Sequence, residues 1–175
     1  MYNPAFGVLS PSAIDHERRH GVSLYQRAFS RGQRGRLWSW LSGRSRSLLD
    51  LREVEVCCKV SARSTTRSQT VPIQKIRGSQ GRTKDFDRGF HPLKNHTRDR
   101  WVGIAVARQR GTALPSVSLV QVGDLYFVLD GHHRISVARA LGQRDIEAHV
   151  TVWQVEGPLP WEYAVPTSEL ALQPA

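Results

Sequence analysis

The sequence predicts a mixed α/β domain, and three observations carry that expectation. VSLVQV (117–122) and LYFVL (125–129) are β-rich runs on either side of the two-residue turn Gly123-Asp124, which marks a hairpin. TRDRWVGIAVARQR (97–110) and ISVARALG (135–142) instead space their apolar residues for helices. Trp101, Ile104, Ala105 and Arg108 share one face of the first, Ile135, Ala138 and Leu141 one face of the second, and Gly111 and Gly142 stand where C-terminal stops belong. DIEAHVTVWQV (145–155) alternates, with Ile146, Ala148, Val150 and Val152 on one side of a strand.

With VPIQKI (71–76) as the opening strand, residues 71–153 read strand, helix, strand, strand, helix, strand, a compact α/β domain. Thr97 stands in a cap-like position before the first helix. Residues 1–70 form a basic extension, and residues 154–175, with four of the chain's nine prolines, form an extended tail.

In the extension, VSLYQRAFSRGQRGRLWSWL (22–41) spaces Val22, Tyr25, Phe29, Leu37, Trp40 and Leu41 as the apolar stripe of a helix, weakened by Gly32 and Gly35. That stripe is expected to pack on the domain or on a second copy, which makes a homodimer a candidate assembly. Arg27, Arg31, Arg34 and Arg36 interrupt it and are candidate nucleic-acid contacts. LREVEVCCKV (51–60) alternates like a strand, while SGRSRS (42–47) and SARSTTRSQT (61–70) read as loops.

At 175 residues and 39% hydrophobic content, the chain can bury one core. It has no apolar run long enough for a membrane span, and MYNPAFGVLSPSAIDHERR lacks the pattern of a secretory signal, so a cytoplasmic protein with no membrane partner is expected. The two cysteines, Cys57 and Cys58, are adjacent, which suits neither a structural disulfide nor a zinc site, and no metal is expected. The formal charge is +10, and the excess lies in the first half: residues 1–82 hold 15 Lys/Arg against 5 Asp/Glu, residues 83–175 hold 10 against 10. Such a bias suits a polyanion such as DNA, although a solvated basic face gives the same count.

The most chemical stretch is LDGHHR (129–134), between the second hairpin strand and the second helix. A strand that turns through Gly131 into a helix leaves the first amides of that helix unpaired, with the positive end of its dipole outward, a site for phosphate or carboxylate. Gly131 permits close approach, Arg134 offers a bidentate fork, and His132 and His133 can exchange protons near neutral pH. Asp130 can orient one of these groups or hold a divalent ion accompanying a nucleotide. The candidate phosphate-binding set is Gly131, His132, His133, Arg134 and Arg82, and the candidate catalytic pair is His132 and Asp130. Arg82 comes from GSQGRTKDFDRGFHPLKNH (78–96), a polar stretch too long for a simple connector, in which Asp85 and Asp87 are the other charged residues to watch.

VLDGHHRISVARALGQRDIEAHV (128–150) resembles the core motif of the ParB/sulfiredoxin superfamily, whose members carry Gly-x-x-Arg after a strand and at the start of a helix; here these are Gly131 and Arg134. The resemblance extends over residues 71–153. GSQGRTKDFDRGFHP (78–92) and the Arg100-Trp101 pair are similar to an uncharacterised bacterial ParB-like single-domain set.

The resemblance implies a ParB/sulfiredoxin-like fold and a nucleoside triphosphate, with Mg²⁺, held on Gly131, His132, His133 and Arg134. ParB-type members hydrolyse the nucleotide while loading on DNA, sulfiredoxins use ATP to repair an over-oxidised cysteine, and some relatives are small-molecule serine kinases. His132 and His133 stand where sulfiredoxins place a cysteine and where ParB proteins place an acid and an arginine, and no helix-turn-helix is read after residue 153. The expectation is therefore a nucleotide-binding domain, a weak NTPase acting with nucleic acid through its basic half. A small-molecule phosphotransferase and a non-catalytic nucleic-acid-binding module are the alternatives.

Overall fold

The computed structural model describes residues 11–162. Its first part comprises α1 (Pro11–Ser42), β1 (Leu49–Asp50), α2 (Leu51–Cys57) and β2 (Lys59–Pro72). The second comprises β3 (Ile76–Ser79), α3 (Arg98–Gln109), β4 (Val117–Val122), β5 (Leu125–Asp130), α4 (His132–Ala140) and β6 (Asp145–Glu156), in the predicted strand, helix, strand, strand, helix, strand order. The fold is mixed α/β. All six strands join one sheet in the order β1-β3-β5-β4-β6-β2. The hairpin β4–β5 and the pair β2–β6 are antiparallel, and β1–β3, β3–β5 and β4–β6 are parallel.

The alternation read in β6 sorts its residues between the two sheet faces. Ala148 and Val150 join Ile76, Leu119, Val128 and Ile135 on the α4 side, whereas Trp153 joins Leu51, Val54, Val120 and Phe127 on the α2 side. A further layer packs Tyr25 and Ala28 of α1 on Trp101, Val102 and Ala105 of α3 and Val137 of α4. Trp101 is fully buried, and its indole Nε1 donates to Ser136 Oγ at 2.9 Å, which satisfies the ring's polar atom and ties α3 to α4.

Three stretches of the first half differ from their sequence reading. LREVEVCCKV is not one strand: Asp50 caps a helix by accepting from the Arg52 amide at 3.0 Å. Leu51 and Val54, one turn apart, enter the core and Val56 stays exposed. Helical spacing of the buried pair wins over an alternation that Val56, facing water, breaks. SARSTTRSQT is not a loop, because β6 is long enough to pair with β2 from Lys59 to Pro72. As the last strand of the sheet, β2 tolerates a polar outer side. VPIQKI straddles the end of β2, a 3₁₀ turn at Ile73–Lys75 and the start of β3. The expected boundary between residues 70 and 71 thus falls inside β2, and the sheet draws strands from both sides of it.

Only the first half of the α1 stripe packs on the domain; Leu37, Trp40 and Leu41 are 57%, 79% and 64% exposed. Gly32 does not break the helix. It is buried where α1 crosses residues 91–93, and a Cβ there would stand 2.7 Å from the Pro92 carbonyl oxygen, so the weak helix former is what lets the helix sit so close. Tyr25 Oη donates to the Lys94 carbonyl at 3.1 Å and Gln33 Nε2 to the Leu93 carbonyl at 3.1 Å, fixing the crossing. Thr97 makes no side-chain capping bond to α3. Cys57 is exposed, Cys58 buried, and both are free thiols.

Urea denaturation tests the crossing. Gly32→Ala is expected to destabilise by about 1–3 kcal/mol, because overpacking against a backbone oxygen outweighs the gain in helix propensity. Gly103→Ala, in α3 with open space around its Cβ, is expected to stabilise by up to about 1 kcal/mol.

Candidate functional site

β3 and β5 run parallel as neighbours, with Ser79 paired to Val128, so both strands deliver their carboxyl ends to one edge of the domain, where α4 begins. That position, outside the carboxyl ends of strands, is where open α/β sheets hold ligands. Gly131 makes the bend with φ 99°, in the left-handed region. A Cβ on it would lie 2.5 Å from Val117 Cγ1, so its glycine is required by the turn and by packing beneath it.

The bend drives both histidines inward. His132 and His133 are buried among Ser79, Phe86 and the first turn of α4. Ser79 Oγ and His132 Nε2 are 2.6 Å apart, and Ser79 Oγ also accepts from the Arg82 amide at 3.3 Å. Either tautomer of His132 satisfies this pair, because the Ser79 hydroxyl can donate to Nε2 or accept from it while accepting from the Arg82 amide. Phe86 stacks on His132 at 6.1 Å between centroids and meets His133 edge-on at 5.4 Å. His133 Nε2 is buried with no hydrogen-bond partner among the described residues. A polar atom left so costs on the order of 1–3 kcal/mol, and sites that serve a ligand are where such a cost persists.

Burial, reinforced by the charge of Arg82 and by the neighbouring ring, pushes His132 down to about 4; burial and the charges of Arg100 and Arg82 push His133 down to about 4 as well. Both rings are therefore neutral at pH 7, and the expected proton exchange near neutrality moves well into the acid range.

Arg134 and Asp130 form a separate unit. The Arg134 guanidinium pairs with the Asp130 carboxylate and donates to the carbonyls of Pro115 and Ser116, the latter at 3.1 Å, pinning the entry of β4 to α4. Arg82, which is exposed, pairs with Asp85 at 3.4 Å, and Lys94 reaches the same carboxylate at 2.8 Å. The structure thus gathers His132, His133 and Arg82, with Gly131 beneath, and occupies Arg134 with Asp130.

Asp87 is the hub of the turn at residues 86–92. Its Oδ1 accepts from the amides of Gly89 at 2.8 Å and His91 at 2.9 Å, and from His91 Nδ1 at 3.0 Å. Burial works against the ionised form, but these bonds hold the Asp87 carboxyl below its ordinary range. Phe90 in this turn has φ 56°, a strained value for a residue with a side chain, held by the burial of its ring.

Arg27, Arg31 and Arg34 lie along one face of α1, since spacings of four and three residues keep them in line, while Arg36 points half a turn away. Arg27 and Arg31 line a cleft of about 770 Å³ between α1, the end of α4 and the β2–β3 corner. Arg36 instead lines a hollow with Trp40, Arg46 and Lys84.

The sequence reading missed Ser79, Phe86 and His91. Ser79 and Phe86 carry no motif and become visible only when β3 and the 86–92 turn fold over α4. His91 had a faint signal, an Asp four residues upstream across a glycine. Among the described residues no cluster of three His, Cys, Asp or Glu is placed to hold a metal, and no helix is long and apolar enough to cross a membrane.

No family model and no curated protein matches the chain. Among solved structures, sulfiredoxin from Arabidopsis thaliana is similar over 49% of this chain and 84% of its own, at 17% identity and a TM-score of 0.37.

A histidine held neutral in the fold takes up a proton on unfolding, so stability is full above the ordinary value of 6.5 and declines as pH falls toward about 4. Unfolding free energies between pH 7 and 4.5 are expected to fall in this sense. In His133→Leu the slope near pH 5 is expected to be shallower by about 1.4 kcal/mol per pH unit, one proton's worth; an unchanged slope would show the ring to be solvated.

Proposed function

We propose that the mouth formed by β3, β5 and the start of α4 binds the phosphate chain of a nucleoside triphosphate, in a domain with the ParB/sulfiredoxin-like character its motif suggests. The single observation that carries the reading is the pair of buried, neutral histidines at the first turn of α4, one with a partnerless nitrogen, beneath the charge of Arg82. Neutral imidazoles leave the charge to the guest, and Arg82, exposed and in an ion pair with Asp85, would supply the opposite sign at the rim by exchanging that carboxylate for a phosphate.

The donor set fits phosphate better than it fits a bare cation, because Asp85 and Asp130 already stand in ion pairs. Mg²⁺ would then travel on the nucleotide's own oxygens. Any turnover here falls to Asp130, whose second carboxylate oxygen makes no hydrogen bond among the described residues; the Nε2 of His132 is occupied by Ser79. No single observation favours the phosphotransferase alternative: Asp85 and Asp87, the acids of the long loop, are both engaged. The same reading has nucleic acid meeting the basic face of α1, supported by the exposed row of Arg27, Arg31 and Arg34.

A thermal-shift series with the four ribonucleoside triphosphates and Mg²⁺ tests the site. At a ligand concentration of 100 Kd, the expected rise in Tm is about 5–10 °C for at least one nucleotide. Arg82→Ala, a change at an exposed residue, is expected to abolish the rise without altering the unliganded Tm by more than about 2 °C. A rise that survives Arg82→Ala would move the ligand elsewhere. Arg134→Ala is expected to lower the unliganded Tm, since it frees two carbonyls and a carboxylate.

A further inference from the structure

The cleft between α1 and α4 gathers Arg27 and Arg31 of α1 with Arg77 of β3, Arg139 at the end of α4, and Arg144 just beyond it. None of the five makes an ion pair with a carboxylate among the described residues. Arg139 is held in place by donating to the Ile73 carbonyl at 2.8 Å and by lying over the Phe90 ring, 5.6 Å from its centroid. Burial, together with the like charge of Arg77, lowers its pKa. Cations outnumber acids here: Asp145 is exposed on the lining, and Asp87 is near enough to act on Arg139. Like charges assembled from three elements in this way are relieved by an anionic guest.

The shape favours an extended guest over a compact one. A shallower hollow lined by Ser23, Gln26, Ser30 and Arg34 shares Arg27 and Arg31 with the cleft, so the two form one continuous track along α1. One turn beyond Arg34, on the same face, stands Trp38, 66% exposed. From Arg27 to Trp38 the helix rises about 16 Å. A cationic track ending in an exposed aromatic ring is the pattern that holds a single strand, phosphates on the arginines and a base on the ring.

His91 gives the track a preference. It lines the cleft, and its Nδ1 faces the Asp87 carboxylate, which can only accept; Nδ1 therefore carries a proton, and in the neutral form of the ring Nε2 is a bare acceptor. Nε2 makes no hydrogen bond among the described residues. Beside arginines that would hold phosphates, an acceptor recognises a hydroxyl donor, and the sugar hydroxyl that RNA has and DNA lacks is the 2′-OH.

We propose that this track binds single-stranded RNA, with the arginines on the phosphates, Trp38 under a base and His91 accepting from a ribose 2′-hydroxyl. The proposal rests on the reading that the basic face of α1 meets nucleic acid, and adds the residues of α4 and β3, the strandedness and the sugar.

Fluorescence anisotropy on the full chain, with labelled 12-nucleotide RNA, DNA of the same sequence, the RNA duplex and a 2′-fluoro RNA, tests it. RNA is expected to bind at least about fivefold more tightly than DNA, the 2′-fluoro strand and the duplex. Trp38→Ala is expected to weaken RNA binding roughly tenfold. Arg31→Gln with Arg77→Gln is expected to weaken RNA and DNA alike and flatten the salt dependence. His91→Phe, checked for folding by circular dichroism, is expected to equalise RNA and DNA. The 2′-fluoro comparison needs no variant and stands if His91→Phe does not fold. Equal affinity for RNA and DNA, or preference for the duplex, would overturn this inference and leave the broader nucleic-acid reading intact. Absence of binding to every strand would overturn both.

Discussion

The turn at Gly131 constrains everything around the candidate site. With φ at 99° and Val117 filling the space where a side chain would project, the chain must leave β5 abruptly and enter α4 with His132 and His133 directed into the domain. Once there, the rings are partnered by what the fold brings over them: Ser79 from the end of β3 and Phe86 from the following loop. Their neutrality follows from burial and from the cations at the rim, so the chemistry of the mouth is a consequence of a backbone angle. Arg134, one turn position further, lands on the carbonyls that begin β4 and holds the bend in place with Asp130.

A second constraint is the close passage of α1 over the 91–93 segment, permitted by Gly32. That contact brings the arginines of the N-terminal helix beside those of β3 and α4, and it also sets the 86–92 turn, in which Asp87 fixes the proton of His91. The molecule thus holds two unlike clusters of basic side chains. At the mouth, buried neutral rings lie under one guanidinium; in the cleft, five guanidinium groups surround one oriented imidazole.

Much of the architecture was legible in the sequence, because elements from residue 97 onward declare themselves by local rules: the Gly123 hairpin, the helical spacing of Trp101 and Ala105, the strict alternation of β6. The first half was less legible for physical reasons. α2, whose own buried residues are Leu51 and Val54, hides in an alternating run, and β2 is polar because it closes the edge of the sheet, where only its pairing with β6 makes it a strand. At the site, His132, His133 and Arg82 were readable as a group. That Arg134 is consumed by carbonyls, and that Ser79, Phe86 and His91 matter, depends on contacts between residues 18 to 53 positions apart or on the fine geometry of one turn, which no spacing rule encodes.

The central claim is that the histidine mouth, and not the arginine cleft, receives the nucleotide. Side-chain nitrogen–proton NMR spectra of the histidines, recorded during addition of a nucleoside triphosphate with Mg²⁺, test it most directly. The account predicts saturable movement of the His132 and His133 ring signals together with the Arg82 amide, while His91 stays in place. Movement of His91 with the mouth signals unchanged would contradict it.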